Sequence, residues 1–202
     1  MSVTAVVLAA GFSRRMGSTN KLLEEVGGIP ILRRVAEAVF AVCDLPPVVV
    51  TGLDPGRVSN MLAGLDVRLV ANPSPISGQA TSVMIGLRHV ADADTTLVVP
   101  GDQPFLTAAV LGDLLDAHGV GPPQRITVPM QGPTRGNPIA LPRLRRDEIL
   151  TEETNTGCGA FTRKNPHLVH QFQTRNQAFF FDVDTPQDLA HAKAESLSGA
   201  AG

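Results

Sequence analysis

Two arginines, two glycines and a lysine crowd the loop that follows the first apolar run of the chain. The stretch reads Val3-Thr4-Ala5-Val6-Val7-Leu8-Ala9-Ala10-Gly11-Phe12-Ser13-Arg14-Arg15-Met16-Gly17, with Lys21 four residues further on. Small residues let backbone approach a ligand, and free N–H groups in a tight loop form an anion nest. Arg and Lys then neutralise charge, so the loop suits a phosphate chain. The lesser alternative is a surface βα loop with solvated arginines. It is neither a dinucleotide fingerprint nor a Walker A loop, because no G-x-G-x-x-G follows the strand and no G-K-[ST] closes it.

Acids stand at two later points. Asp102 lies in Gly101-Asp102-Gln103-Pro104, just past the apolar run Thr95–Val99, and Asp182 and Asp184 lie in Phe181-Asp182-Val183-Asp184-Thr185-Pro186. Mg²⁺ prefers one or two carboxylates plus substrate phosphate oxygens and waters, so acids from distant parts of a chain suit one ion. Taken singly, Asp102 also reads as a turn residue and Asp184 as punctuation before a helix. Ser77-Gly78-Gln79-Ala80-Thr81-Ser82 offers N–H groups, hydroxyls and an amide for a base or ribose, or else simply starts a helix. A zinc site or catalytic triad is not supported. The His167-x-x-His170 pair flanks a strand, where the rings point to opposite faces, and two cysteines, Cys43 and Cys158, make no four-ligand set. Both read as packed thiols.

Strands and helices must hold these residues together. Apolar runs at Val3–Leu8, Val48–Thr51, Val67–Val70 and Thr95–Val99 alternate with helical patterns at 31–42, 55–63, 80–90 and 107–118, Gly119 standing as the stop of the last. Strands are then expected at Ile126–Pro129, Asn137–Leu141, Leu168–Phe172 and Phe179–Asp182. Helices are expected near 143–150, 158–164 and 185–196. Strands apolar on both faces predict an α/β, doubly wound, mostly parallel sheet with helices on both faces, with ligands at the carboxyl ends of the strands. Residues 1–197 read as one domain, 198–202 as a frayed tail, and the region after Gly121 as an insertion shaping an acceptor pocket.

Composition narrows the classes of function. A net charge of −2 and the absence of Trp and Tyr argue against a nucleic-acid partner. A 43% hydrophobic content supports a full core, and no apolar run approaches the roughly 20 residues of a membrane span. With no leader pattern after Met1, a cytoplasmic location is expected.

The run Leu8-Ala9-Ala10-Gly11-x-Ser13-x-Arg15-Met16-Gly17-x-x-x-Lys21 resembles the signature L-A-A-G-x-S-x-R-M-G-x-x-K of nucleotidyltransferases, with one extra residue before the lysine. More narrowly, it resembles the molybdenum cofactor cytidylyltransferase and guanylyltransferase group, where Gly-Asp-Gln-Pro and Asp-Val-Asp-Thr-Pro also recur. The resemblance implies a Rossmann-like nucleotidyltransferase fold and Mg²⁺-dependent transfer of a nucleotidyl group to a phosphorylated acceptor, with pyrophosphate released. It implies nucleotide binding by Leu8, Ala9, Ala10, Gly11, Arg15, Lys21, Gly78, Thr81 and Ser82, catalysis by Arg15, Lys21 and Asp102, and metal binding by Asp102 and Asp184. Asp182 is a weaker candidate beside the metal. Thr134-Arg135-Gly136-Asn137-Pro138 resembles the segment before an acceptor-side strand, so Asn137 is expected to orient the acceptor or to cap a turn.

CTP is the expected donor, because cytidylyl members resemble Leu-Ala-Ala-Gly where guanylyl members have Leu-Ala-Gly-Gly. The expected acceptor is molybdopterin-type cofactor, with transient contact to a molybdoenzyme or its chaperone. One departure stands out. Where cytidylyltransferases resemble Gly-Asp-x-Gly-Ala-Arg, this chain has Gly157 and Phe161 at the charged positions. That leaves open another acceptor, such as a sugar or alcohol phosphate, and a non-catalytic maturation protein.

Overall fold

The structure, a computed structural model, describes residues 1–11, 20–52, 54–152 and 157–199. In chain order the elements are β1 (Val3–Ala9), β2 (Glu25–Val26), β3 (Ile29–Pro30), α1 (Ile31–Phe40), β4 (Val48–Thr51), α2 (Pro55–Met61), β5 (Arg68–Ala71) and α3 (Gln79–His89). There follow β6 (Thr95–Pro100), α4 (Ala108–Val120), β7 (Ile126–Gln131), β8 (Thr134–Arg135), β9 (Ile139–Pro142), α5 (Arg143–Thr151), α6 (Gly157–Lys164), β10 (Val169–Gln173) and α7 (Pro186–Gly199). The main sheet runs β10-β7-β9-β6-β1-β4-β5, with β8 hairpinned onto β7. β1 lies parallel between β4 and β6, while β9 runs antiparallel to both β6 and β7.

β1 explains why helices cover both faces. Side chains alternate across a strand, and here both sets are apolar. Val3, Ala5, Val7 and Ala9 pack with Leu32, Val35 and Val39 of α1 and with Leu111 and Leu114 of α4. Val6, Leu8 and Ala10 pack on the other face with Val83, Met84 and Leu87 of α3 and with Phe161 of α6. α3 comes especially close. A Cβ on Gly86 would lie 2.2 Å from Val6 Cγ1 and 3.1 Å from Val50 Cγ2, so only glycine fits there.

Three sequence expectations change. The region after Gly121 is not an insertion, because it supplies β7, β9 and β10 to the main sheet. Gly119 does not stop α4, which continues to Val120 and closes with the Gly121 N–H on the Ala117 carbonyl (3.1 Å). Phe179–Asp182 forms no strand. A 3-10 turn at Gln177–Phe179 leads into irregular chain, and the Phe179 carbonyl accepts from the Asn137 N–H (2.8 Å) and Gln103 Nε2 (3.4 Å) rather than from a neighbouring strand. Phe179 itself is fully buried, which accounts for its strand-like apolar signal. Among the described residues, no helix is long and apolar enough to cross a membrane.

Candidate functional site

Lys21 opens a 3-10 turn whose start is capped by Asn20, the Leu22 N–H donating to Asn20 Oδ1 (3.2 Å). The lysine is 8% exposed, and its ammonium lies 2.6 Å from Asp102 Oδ2 and 2.7 Å from Asp184 Oδ1. Burial pulls its pKa down, but the charges and hydrogen bonds of Asp102 and Asp184 outweigh that and leave it above 10.5. One cation thus gathers two acids that lie 81 and 163 residues away in the chain.

Backbone contacts fix where each acid stands. β6 ends beside β1, and the Gly101 N–H donates to the Leu8 carbonyl (3.0 Å). A Cβ at Gly101 would lie 2.8 Å from that same oxygen, so the turn that presents Asp102 requires glycine. The Asp102 carbonyl in turn accepts from the Val183 N–H (3.0 Å), which draws the second acidic segment alongside. Asp184 is steadied by a reciprocal cap. Asp188 Oδ2 accepts from the Asp184 and Thr185 N–H groups (3.1 and 2.8 Å), and Thr185 Oγ1 accepts from the Asp188 N–H (3.2 Å). Asp182 joins the same acidic group. Protein packed around its carboxyl, followed by the charges of Asp102 and Asp184, pushes its pKa up to about 6, although the residue keeps an exposed surface.

Two adjoining cavities open at the carboxyl ends of β1 and β6. The larger, about 330 Å³, lies between the β1 end (Leu8, Ala10, Gly11), the start of α3 (Gly78, Gln79, Ser82) and Asp102. The smaller, about 100 Å³, shares Leu8, Gln79 and Pro100 with it and is closed by Arg135, Asn137, Cys158 and Gly159. The former is of a size for a small-molecule ligand.

Most of the expected residues meet here. Leu8, Ala10, Gly11, Gly78, Ser82 and Asp102 line the larger cavity, and Asn137 lines the smaller one. Lys21 reaches the site through Asp102, and Asp184 joins it through Lys21. Ala9 does not, because its side chain belongs to the opposite face of β1, and Thr81 is half-buried and lines neither of these cavities. Arg15 lies outside the described residues, as do Asn155 and Thr156.

The two departures from the family pattern have steric correlates. Gly157 adopts a left-handed φ of +68°, and a Cβ there would press on Ala80 Cα at 3.2 Å. Phe161 is 4% exposed and packs into the core under α3. The thiol of Cys158 is buried as well, and burial pushes its pKa up to about 12, so it is a packed thiol rather than a reactive one.

Two residues of the site, Asn72 and Arg135, have no role in the sequence reading, whereas Gln79 is the amide expected there. Asn72 follows β5 and is 1% exposed. It donates through Nδ2 to Ser82 Oγ (2.9 Å) and accepts the Ser74 N–H at Oδ1 (2.8 Å), tying the loop before α3 to the cavity wall. Gln79 lines both cavities, and Arg135 lines the smaller. The Asn72-Pro73 turn signal after an apolar strand was the available clue to the first.

The chain resembles known proteins along its whole length. It is 30% identical to a molybdenum cofactor guanylyltransferase of Rhodopseudomonas palustris, over 96% of this chain and 93% of that protein. It is also 30% identical to a protein of Natronomonas pharaonis named "Probable molybdenum cofactor guanylyltransferase", over 96% of this chain and 98% of that one. These relatives carry guanylyl names, so the expected cytidylyl preference finds no support in them. In fold it matches a nucleotidyl transferase from Methanothermobacter thermautotroptrophicus with a TM-score of 0.81, covering 98% of this chain and 99% of that one at 22% identity. The model of the MobA-like NTP transferase domain matches residues 5–171, and with the paired acids and lysine at the sheet's carboxyl edge the chain belongs to that family of nucleotidyltransferases.

Proposed function

We propose that this chain transfers a nucleotidyl group from a nucleoside triphosphate to the phosphate of a molybdenum-cofactor-type acceptor, releasing pyrophosphate, with GTP as donor. The names of the full-length relatives support both the acceptor class and the guanylyl reading. The observation that carries the transfer chemistry is Lys21 held between Asp102 and Asp184 beside the 330 Å³ cavity.

The donor set suits Mg²⁺. Asp102 Oδ1 is buried and, among the described residues, has no hydrogen-bond partner, while Oδ2 shares a cation with Asp184. Two carboxylates therefore meet within 2.7 Å of one cation, and Asp102 keeps an unpartnered oxygen among the described residues, oxygen donors of the kind a hard divalent cation takes alongside substrate phosphate and water. Asp102 and Asp184 would hold the ion, which would neutralise phosphate charge and help align donor and acceptor oxygens. Lys21 then steadies the phosphate chain, and the N–H groups around Gly11 and the start of α3 receive the nucleotide. Arg15 is assigned charge stabilisation on the leaving phosphates. In-line transfer of this kind rests on positioning and charge, and no covalent enzyme intermediate is needed.

A second donor reading, CTP, rests on Ala10, whose methyl lines the larger cavity and leaves less room for a purine. The test is pyrophosphate release with Mg²⁺ and molybdopterin-type cofactor, offering GTP or CTP in turn. Acceptor-dependent release from GTP alone supports the first reading, and release from CTP alone supports the second. No release with either, where nucleotide still binds tightly, would overturn the acceptor assignment and point to another phosphate acceptor.

A further inference from the structure

The smaller cavity carries a charge that, among the described residues, has no carboxylate partner. Arg135 ends the short β8 strand, is half-buried, and donates from Nη1 to Thr162 Oγ1 (2.6 Å). Among the described residues no carboxylate lies within ion-pair distance of it. A second guanidinium, that of Arg163 on α6, lies over Gly159 in the cavity wall, since a Cβ on that glycine would stand 3.4 Å from Arg163 Nη1. Burial lowers the pKa of Arg135, the neighbouring Cys158 offsets part of that, and the Arg163 charge lowers it further, so the net shift is downward. A cation so placed gains most from an anion that enters the cavity. Asn137, on the same wall, adds an amide.

We propose that this cavity is an oxyanion subsite for the acceptor, in which Arg135 is the specificity-determining residue, Arg163 strengthens the field and Asn137 supplies a neutral hydrogen bond. The position explains how the acceptor end of the site keeps positive charge although Phe161 stands where the family pattern has an arginine. The planar five-donor fork of arginine recognises a phosphate or similar acid bidentately, which a lysine at the same place would do less well. The assignment to the acceptor rests on the transferase reading above. The subsite itself does not.

The test titrates inorganic phosphate by calorimetry into the wild type, Arg135→Gln, Arg135→Lys and Arg163→Gln. Each is taken both free and saturated with a non-hydrolysable GTP analogue that fills the larger cavity. In both forms, Arg135→Gln is expected to weaken phosphate binding about tenfold, with Arg135→Lys and Arg163→Gln falling between it and the wild type. In turnover, Arg135→Gln is expected to raise the acceptor KM about tenfold while the nucleotide KM and kcat stay within about twofold. A purely structural Arg135 would instead lower the melting temperature and disturb both substrates alike. Phosphate binding unchanged in Arg135→Gln overturns the subsite. Arg163 is exposed, so its variant keeps the test readable should Arg135→Gln fold poorly. If phosphate binding depends on Arg135 but no acceptor turns over, the subsite stands and the transferase reading falls.

Discussion

The two halves of the site handle charge in opposite ways. On the donor side, Lys21 is buried and satisfied, with an ammonium bonded to both Asp102 and Asp184. On the acceptor side, Arg135 is half-buried, its one hydrogen-bond partner among the described residues is the neutral hydroxyl of Thr162, and a second arginine lies close by. The donor side is therefore preorganised without its ligands, whereas the acceptor side gains its counter-charge from outside. Removing a charge should cost stability on the first side and affinity on the second.

The largest expected effect is catalytic. Asp102→Asn should reduce kcat about a thousandfold, measured as pyrophosphate release, while the melting temperature falls by less than in Lys21→Met because Asp184 still holds Lys21. Normal turnover in this variant would refute the mechanism.

Next comes Lys21→Met, which leaves two acids facing each other without their cation. It should cost about 2 kcal/mol by urea unfolding at neutral pH, less than for a fully buried pair because Asp184 is 47% exposed. Added Mg²⁺ should restore more stability to this variant than it adds to the wild type, provided the carboxylates are the metal ligands. The pH dependence follows from the raised pKa of Lys21. Its contribution is complete below 10.5 and disappears as pH rises through the higher folded value, so the gap to Lys21→Met should be flat to about pH 10 and close above it.

A smaller loss should follow Thr185→Ala, which opens the reciprocal cap with Asp188, at about 1 kcal/mol, with a further fall in kcat if Asp184 drifts from Lys21. The smallest stability change belongs to Arg135→Gln, under about 1 kcal/mol, because no carboxylate loses a partner. If calorimetry gave Arg135→Gln a larger loss than Lys21→Met, the contrast between a satisfied and a waiting charge would be wrong.

The sequence made the donor side legible because its signals are local. A β-branched run before a small-residue loop marks β1, and an acid just past an apolar strand marks Asp102. Asp54 before Pro55 and Thr107 before Ala108 are residue types that cap helix starts, and their side chains accept from the Arg57 and Val110 N–H groups. What stayed hidden depends on partners far along the chain. Nothing local says that Lys21 reaches Asp184, or that Asn72 holds Ser82. Arg135 carries no local signal, since its value lies in the company of Cys158 and Gly159 across the cavity. Phe179 misled because deep burial gives a turn the same apolar signature as a strand. The β2–β3 hairpin is two residues a side, and its signal was only the pair Gly27-Gly28, both at positive φ (62° and 76°).

Gly86 gives the larger cavity a property that its own lining does not reveal. Because α3 rests on the sheet through a bare backbone at this point, the span between the β1 end and the Gln79–Ser82 wall is gauged by a single hydrogen atom. On the proposed nucleotide reading, the exposed Gln79 on that wall is the position where a change retunes which base is admitted, with the frame around it undisturbed. A methyl at position 86 would act as a wedge from behind, prising the wall outward and loosening the grip on every donor at once.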